Sequence, residues 1–191
     1  MSEWDSAAES VDFNLEILAE DFVTTVSQDA KVLDFGCGYG RIANQLHHSG
    51  YRFLIGVDCS KEMINRGLIE NSHLDLRHIL GSILPFSDNE FDSIVTCAVF
   101  TCIPNQDLRK QILIELRRVL KPNGVLYLAE FCSDESHRFT SGAGVPMWHS
   151  QLSELKGILD GFNIEQSRVV KSLTMSGHAS HVSHIFARKT I

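Results

Sequence analysis

The sequence predicts an α/β domain built around a mostly parallel β-sheet. Short apolar runs of strand length alternate with segments of helical periodicity, and this alternation continues as far as Phe131. A glycine-rich turn follows the first apolar run, as is typical where a buried strand leads into a helix. The chain has 191 residues, of which 43% are hydrophobic, so it is long enough to form one domain with a buried core.

The predicted elements alternate regularly through the first two thirds of the chain. Apolar residues spaced three or four apart predict a first helix over about 10–27. Ser60 is placed to cap a later helix, and the run from Lys121 to Gly124 is placed to end another. Strands are predicted over 31–35, 53–57, 74–80, 91–96 and 125–131, and helices over 41–49, 61–70 and 107–120.

The alternation stops after Phe131. Residues 132–149 contain Ser, Gly, Asp and Pro and are predicted to form a long loop, followed by a short helix over 150–159. Two strands, 164–173 and 182–188, are joined by a short turn and are therefore predicted to be antiparallel. The single domain 1–191 divides into an N-terminal helix or lid (1–30), a ligand-binding core (31–131) and a substrate loop with a C-terminal hairpin (132–191).

Charge and cysteine content argue against several classes of protein. Lys and Arg number 17 against 24 Asp and Glu, a net charge of −7, and nucleic acid binding usually needs a basic surface. There is no apolar run long enough to predict a transmembrane helix, and the acidic N-terminus does not resemble a signal peptide. Five cysteines, an odd number without a Cys-x-x-Cys pair, favour a reducing cytoplasm.

The turn after the first predicted strand carries the strongest functional signal. Gly36, Gly38 and Gly40 alternate directly before a helix, and Asp34 lies just before them near the end of the strand. Glycines permit positive φ and let a ligand lie close to the backbone, where the N–H groups at the helix start face it. The carboxylate repels phosphate and suits a cationic ligand, and the spacing departs from the Gly-x-Gly-x-x-Gly of dinucleotide enzymes.

A second carboxylate, Asp58, ends the next strand. A carboxylate at this position can accept two hydrogen bonds from a ribose diol. These residues by themselves fit NAD as well as any other adenosine cofactor.

Four blocks of sequence occur in order between residues 31 and 131. They are VLDFGCGYG at 32–40, GVDCSKEMI at 56–64, LPFSDNEFDSIV at 84–95 and LRRVLKPNGVLYLAEF at 116–131. Together they resemble the class I S-adenosylmethionine-dependent methyltransferases, most of all the small single-domain enzymes that act on small molecules. The last two blocks have no part in a nicotinamide-binding fingerprint.

This resemblance implies a fold, a reaction and a cofactor. The fold is a Rossmann-like, doubly wound sheet of seven strands, mostly parallel, with an antiparallel last strand. The reaction is in-line methyl transfer to an O, N, S or C atom of a small molecule, with S-adenosyl-L-methionine as the cofactor. We expect a monomer or homodimer.

The resemblance also assigns roles to residues around the cofactor. Asp34 would lie near its amino group and Asp58 on its ribose hydroxyls. The family's usual acid after the third strand is missing, and Ser82 with the backbone of Ile83 stands in its place. The implied cofactor contacts are Asp34, Gly36, Cys37, Gly38, Gly40, Asp58, Cys59, Met63, Ser82, Ile83 and Cys97.

Three residues are candidates for catalysis. His149 precedes the helix after the long loop, where the family places substrate contacts, and is the first candidate for a base. The simpler interpretation is a surface or helix-capping histidine, and His137 is the second candidate. Glu130 ends the fifth strand, where carboxylates are often functional in open α/β folds, with a solvated loop acid as the alternative.

Several aromatic residues are candidates for substrate contact. Tyr39, Phe100 and Trp148 are predicted to line the substrate pocket. A solvent-facing Tyr39 and a core Phe100 are the alternatives. Trp4 and Phe13 are predicted to form part of a lid, or else to pack on the first helix.

Two groups of residues are of metal-binding type but lack metal-site spacing, so we predict no metal. They are Cys97, Cys102 and Cys132 at strand ends, and His178, His181 and His184 near the C-terminal turn. We expect core cysteines and a solvated hairpin with one partly buried histidine.

Three other functions remain open. A nicotinamide-dependent oxidoreductase would need the dinucleotide glycine spacing. A catalytically inactive, methyltransferase-like binding protein is disfavoured because Asp34, the three glycines and Asp58 are intact. A methyltransferase acting on a protein or nucleic acid would usually need an extra recognition domain or a basic face.

Overall fold

The computed structural model of the protein describes residues 3–190. Within them, strands and helices alternate from residue 31 to residue 132, as the sequence predicts. The strands are β1 Lys31–Phe35, β2 Phe53–Asp58, β3 Asp75–His78, β4 Phe91–Cys97, β5 Leu120–Cys132, β6 His137–Thr140, β7 Pro146–His149, β8 Phe162–Leu173 and β9 Ala179–Lys189. The α-helices are α1 Ala19–Thr25, α2 Arg41–His48, α3 Lys61–Glu70, α4 Gln106–Val119 and α5 Leu152–Gly157.

Seven strands form one sheet in the order β3-β2-β1-β4-β5-β9-β8. Strands β1 to β5 are parallel, and β9 is antiparallel to both of its neighbours. The predicted fold class, a mostly parallel seven-stranded sheet with an antiparallel last strand, is confirmed. The strand order reverses between β1 and β4, and open sheets of this kind bind ligands at the carboxyl ends of the strands at such a point.

Helices cover both faces of the sheet and create two apolar cores. On one face Phe22 of α1 and Leu46 of α2 are fully buried against strand residues. On the other face Leu116 of α4 and Leu155 of α5 are buried against Leu33 and its neighbours. The carboxyl edge of the sheet is left to the loops, so candidate ligand contacts gather there.

The first helix is shorter than predicted. Only Ala19–Thr25 is α-helical, residues 3–7 form a 3-10 turn and residues 11–18 have no regular structure. The backbone N–H groups of Phe13 and Leu18 donate to the hydroxyls of Tyr39 and Tyr127, at 3.0 and 2.9 Å. These distant partners replace helical hydrogen bonds, which sequence periodicity does not reveal. We call residues 3–18 the N-terminal strap.

The predicted loop over 132–149 contains a hairpin. Strands β6 and β7 pair antiparallel, with His137 opposite His149 and Arg138 opposite Trp148. Each strand has four residues and pairs only with the other within the described chain, so its sequence pattern is too short to predict. Strand β5 also begins earlier than predicted, because Leu120 pairs with Phe91 before a register shift.

The cysteines and histidines considered as metal ligands do not form a metal-binding cluster within the described residues. In the part of the chain that the structure describes, no three His, Cys, Asp or Glu residues are arranged to hold a metal ion. His184 is buried, with its Nδ1 2.7 Å from the Tyr127 hydroxyl, and burial lowers its pKa to about 4. Within residues 3–190, no two cysteines form a disulfide bond.

None of the helices between residues 3 and 190 is long and apolar enough to cross a membrane.

Helix α3 packs so closely on the glycine turn that Gly67 has no room for a side chain. A Cβ at Gly67 would lie 2.6 Å from Leu76 Cδ1 and 2.7 Å from the Tyr39 carbonyl oxygen. Gly157, at the end of α5, would meet no atom within 4 Å. The surroundings of the two helical glycines therefore differ sharply: Gly67 is crowded and Gly157 is not.

We expect Gly67→Ala to destabilise the fold by about 1–3 kcal/mol, because the added methyl group must displace backbone. Gly157→Ala, the matched control, should be neutral or stabilising by up to about 1 kcal/mol, since alanine favours the helix. Urea unfolding followed by circular dichroism measures both. Equal effects of the two substitutions would contradict the close packing of α3 on the turn.

Candidate functional site

The turn between β1 and α2 has a backbone that glycine adopts more readily than other residues. The φ angles of Gly36, Gly38 and Gly40 are 73°, 54° and 83°. A Cβ on Gly36 would lie 2.4 Å from Val99 Cγ2, and one on Gly40 would lie 2.8 Å from Leu76 Cδ1. The glycines therefore let the turn lie against the loop after β4 on one side and β3 on the other.

Asp58 ties this turn to the end of β2. Its Oδ2 accepts a hydrogen bond from Gly38 N and its Oδ1 accepts one from Ser60 N, both at 2.8 Å. Burial raises the pKa of Asp58, and the backbone N–H groups oppose that change by stabilising the charged form. Each carboxylate oxygen has a second lone pair, so Asp58 can also accept hydrogen bonds from ligand hydroxyls.

Asp34 is buried in β1 beneath the start of α2. Its Oδ2 accepts a hydrogen bond from Ala43 N at 3.0 Å, which places negative charge at the positive end of the helix. Burial raises the pKa of Asp34 to about 7, while the Ala43 N–H and the Arg41 guanidinium lower it. Asp34 therefore caps α2 beside the glycine turn.

The N-terminal strap covers the turn with aromatic side chains. Phe13 stacks on Tyr39 with ring centroids 5.4 Å apart, and Trp4 meets Phe13 edge-on at 5.5 Å. The Phe13 ring lies on Gly38, with Cε2 3.1 Å from where a Cβ would be. Trp4 and Phe13 thus lie over the turn, as a lid would. Tyr39 is buried beneath them and does not face solvent, and its contact with a substrate stays a prediction.

Arg66 of α3 fastens this part of the strap. Its Nη1 donates to the carbonyl oxygens of Ala8 and Val11, at 3.0 and 2.6 Å. Its Nη2 lies 2.9 Å from Asp12 Oδ1, and the guanidinium stands 4.0 Å from the centre of the Tyr39 ring. One side chain therefore holds both the backbone of the strap and the aromatic residue beneath it.

The strap extends along the carboxyl edge of the sheet. Near its start, Asp5 Oδ1 accepts a hydrogen bond from Ser60 Oγ at 2.6 Å. Farther along, Asn14 Nδ2 donates to the carbonyl oxygen of Leu173 in β8 at 3.1 Å. The strap therefore runs from the end of β2 to the last hairpin, passing over the glycine turn.

Glu130, a candidate catalytic residue, is fully buried and holds the loop after β4. Its Oε1 accepts hydrogen bonds from the backbone N–H groups of Val99 and Phe100, both at 3.1 Å. Its Oε2 accepts two from Thr101, one from the backbone N–H and one from the hydroxyl, both at 2.8 Å. Glu130 is therefore not a solvated loop acid: it holds the loop in place, and its role in catalysis stays a prediction.

Trp148 and Phe100, predicted to line the substrate pocket, are in the interior. Trp148 is 2% exposed and lies between Arg109 and Arg138, whose guanidinium carbons are 3.7 and 4.2 Å from its ring centre. Its Nε1 donates to Ser136 Oγ at 2.6 Å. Phe100 is fully buried in the core beneath α4. Tertiary packing buries both large apolar surfaces, and contact of these two residues with a substrate stays a prediction.

Arg109 joins α4 to the loop after β4 and to the end of β7. Its side chain is buried and donates to the Ile103 carbonyl oxygen at 2.6 Å and to Ser150 Oγ at 2.8 Å. Burial lowers the pKa of Arg109 to about 10, so the guanidinium stays charged at neutral pH.

His149 and His137 face each other across the β6–β7 hairpin. The half-buried His149 ring stacks on Phe131, at the end of β5, with centroids 5.2 Å apart, and meets Phe139 edge-on at 5.0 Å. Burial and the charge of His137 lower the pKa of His149, so its ring is neutral at pH 7. The structure brings together the two histidines that the sequence singles out.

The remaining predicted cofactor residues fall into two groups. Cys97 is half-buried at the end of β4, with its Sγ 3.6 Å from the Leu15 carbonyl oxygen. Met63 is buried under the strap with Tyr39, and the Cys37 side chain points inward, towards Gly56.

The second group lies farther out along the carboxyl edge. Cys59 is exposed, and its carbonyl oxygen lies 3.2 Å from His78 Nε2. Ser82 is half-buried and Ile83 is 75% exposed in the turn after β3. An apolar side chain exposed to this extent is available for contact with a ligand.

Sequence reasoning missed three arginines. Arg41 directly follows Gly40, and Arg109 falls on the apolar stripe of α4, so the sequence contained a signal for both. Arg66 gave no signal, because its strap partners are more than fifty residues away in the chain.

The chain is similar to known methyltransferases. A family model described as a methyltransferase domain matches residues 33–128, half of the chain. An N-demethylindolmycin N-methyltransferase of Streptomyces griseus is 33% identical over 107 residues, which cover 54% of this chain and 45% of the relative. The match therefore spans less than half of this curated relative.

Two solved structures share the fold over most of the chain. A SAM-dependent methyltransferase from Methanosarcina mazei is 26% identical with a TM-score of 0.82, covering 90% of this chain and 97% of that one. A 1,6-didemethyltoxoflavin-N1-methyltransferase from Burkholderia thailandensis, with bound 1,6-didemethyltoxoflavin and S-adenosylhomocysteine, has a TM-score of 0.73 at 21% identity, covering 91% and 76%. At that identity the second likeness concerns the fold alone.

We expect Glu130→Gln to destabilise the protein by about 2 kcal/mol or more, because an amide NH2 would face the buried donors of the loop. Glu135→Gln, on the exposed segment after β5, is the control and should change stability by less than about 0.5 kcal/mol. Urea unfolding measures both. A stable Glu130→Gln protein without activity would restore the catalytic role that the sequence suggested.

Proposed function

The chain belongs to the class I S-adenosylmethionine-dependent methyltransferase family, and we propose that it transfers a methyl group from S-adenosylmethionine to a small molecule. The observation that carries the proposal is the carboxylate of Asp58, held by Gly38 N and Ser60 N beside a turn of positive-φ glycines. A fixed carboxylate next to a glycine-rich backbone suits an adenosine ligand, with the ribose diol on Asp58.

The residues present fit this cofactor. Asp34 adds negative charge beneath the turn, which suits a ligand with an ammonium and a sulfonium group and disfavours a pyrophosphate. Among residues 3–190 the buried Nε of Arg41 has no hydrogen-bond partner, so a donor is available beside the turn. When bound, S-adenosylmethionine supplies a methyl group on a positively charged sulfur.

The chain itself binds, orients and excludes water. The strap places the rings of Phe13 and Tyr39 over the turn and so shields the site from solvent. Glu130 fixes the loop after β4 through four hydrogen bonds, which gives the reacting groups a rigid wall. Proximity effects contribute about 7–11 kcal/mol to catalysis in general, and positioning of this kind supplies part of that amount.

His149 is the residue best placed to accept a proton from an O or N acceptor. Its ring is neutral at pH 7, stands at the carboxyl end of β5, and makes no hydrogen bond with any group in residues 3–190. A positioned base contributes roughly 10²–10⁴-fold to such a reaction. Acceptors that are already anionic would not need this residue.

The small-molecule acceptor rests on two observations. The relative from Streptomyces griseus is named for a small-molecule substrate, as is the enzyme from Burkholderia thailandensis. The net charge of −7 disfavours nucleic acid. A reducing cytoplasm remains our expectation, because the number of cysteines is odd and they form no Cys-x-x-Cys pair.

We expect S-adenosylhomocysteine and S-adenosylmethionine, but not NAD, to stabilise the protein. A ligand at 100 times its dissociation constant adds about 2.7 kcal/mol. In a chain of this size that amount raises the melting temperature by about 5–10 °C. Differential scanning fluorimetry measures the shift. A shift with NAD alone would replace the proposal with an oxidoreductase, and none with any ligand would favour a non-catalytic binding protein.

Asp58→Ala should abolish the shift, because it removes the acceptor for the ribose hydroxyls. Asp29→Ala, at an exposed turn remote from the glycine loop, is the matched control and should keep it.

We expect the kcat/KM of methyl transfer to an O or N acceptor to fall on acidification with a midpoint below pH 6.5, because burial and His137 lower the pKa of His149. His149→Gln should reduce kcat about 10²–10⁴-fold and remove this acidic limb. His137→Gln should move the acidic limb of the pH profile to higher pH, because the loss of a neighbouring positive charge raises the pKa of His149. A limb unchanged in His149→Gln would exclude this residue as the base.

A further inference from the structure

Arg41 occupies a special position next to the glycine turn. It is the first residue of α2, directly after Gly40, and its side chain reaches both the strap and the end of β4. Its Nη1 pairs with Glu16 Oε1 at 3.0 Å, and its Nη2 donates to the Leu15 carbonyl oxygen. The same Nη2 lies 4.0 Å from Cys97 Sγ. The guanidinium therefore stands between the strap and the carboxyl end of β4.

One donor of this guanidinium has no partner. The Nε of Arg41 is buried, and no acceptor in residues 3–190 receives its hydrogen. A buried donor without an acceptor is costly, because it has lost its water and gained nothing in exchange. Such an atom at the edge of a ligand site indicates that part of the ligand is its acceptor.

The sheet order says which part of a ligand would meet it. Strand β1 and its glycine turn lie between β2 and β4. Asp58 stands on the β2 side, while Arg41 reaches Cys97 on the β4 side. A ligand whose ribose lies on Asp58 and which extends along the turn therefore brings its opposite end to Arg41.

We propose that Arg41 binds the carboxylate of the amino-acid part of S-adenosylmethionine through its Nε. An arginine has donors only, and its planar group matches a carboxylate better than any other common anion of this size. Asp34, beneath the same turn, suits the neighbouring ammonium group. The inference rests on the proposed function, since it assigns one end of the same cofactor.

The arrangement also links cofactor binding to the strap. Leu15 and Glu16 already hold the other two nitrogens of Arg41, so the strap and the cofactor would meet on one guanidinium. Glu16 is 65% exposed and is free to move when a second carboxylate arrives. Arg41 would thus close the strap over the amino-acid end of the bound cofactor.

The test compares two ligands that differ at this end. S-adenosylhomocysteine carries the amino-acid carboxylate, whereas 5′-methylthioadenosine keeps the adenosine and the thioether but lacks it. Isothermal titration calorimetry gives both dissociation constants for each protein. We expect Arg41→Gln to weaken S-adenosylhomocysteine binding about 10- to 100-fold while changing 5′-methylthioadenosine binding less than about twofold.

Two variants separate carboxylate binding from a merely structural role. Arg66→Gln loosens the strap at Ala8 and Val11 without touching Arg41, so any change should affect both ligands alike. Arg41→Lys keeps the charge without the Nε–H and should give an intermediate loss for S-adenosylhomocysteine alone. Circular dichroism and thermal unfolding without ligand establish that each variant folds.

The outcomes are distinct. A selective loss of S-adenosylhomocysteine affinity in Arg41→Gln supports the proposal. Equal weakening of both ligands, or no change in either, overturns it and leaves the proposed function intact. If the unmodified protein binds neither ligand, the proposed function itself fails and this inference fails with it.

Discussion

A buried carboxylate must be hydrogen-bonded, and this requirement organises the carboxyl edge of the sheet. Asp34, Asp58 and Glu130 each lie in or at the end of a strand and each accept backbone N–H groups from a loop or a helix start. Losing these contacts would leave a charge in the interior without compensation, which is far more costly than the contacts are strong. The loops of the site are therefore fixed by the strands beneath them.

Arginines donate hydrogen bonds to the carbonyl oxygens of the irregular segments. Arg66 and Arg41 hold the irregular strap, and Arg109 holds the loop that Glu130 holds from the other side. A segment without helical or sheet hydrogen bonds must satisfy its backbone in another way, and arginine supplies several donors from one side chain. The strap can thus lie across the site without regular secondary structure.

The division between catalysis and positioning follows from these contacts. Glu130 already accepts four hydrogen bonds from the loop after β4, so in our proposal it positions that loop. The ring of His149 has aromatic neighbours and makes no hydrogen bond with any group in residues 3–190, so in our proposal it can take a proton from the acceptor. A shared fold does not by itself establish a shared activity, and the proposed function therefore depends on Asp58, Arg41 and His149.

The sequence by itself determined the sheet, because buried parallel strands need continuous apolar runs and each run is visible locally. It also determined the glycine turn and the two acids beside it. Glycine at a single position indicates a positive φ, and an acid at the end of an apolar run indicates the end of a strand. Only the tertiary structure decided the course of the strap, the β6–β7 hairpin, and the burial of Phe100 and Trp148. Those outcomes depend on partners far away in the chain, such as Tyr39 for Phe13 and Arg109 for Trp148, and periodicity carries no information about them.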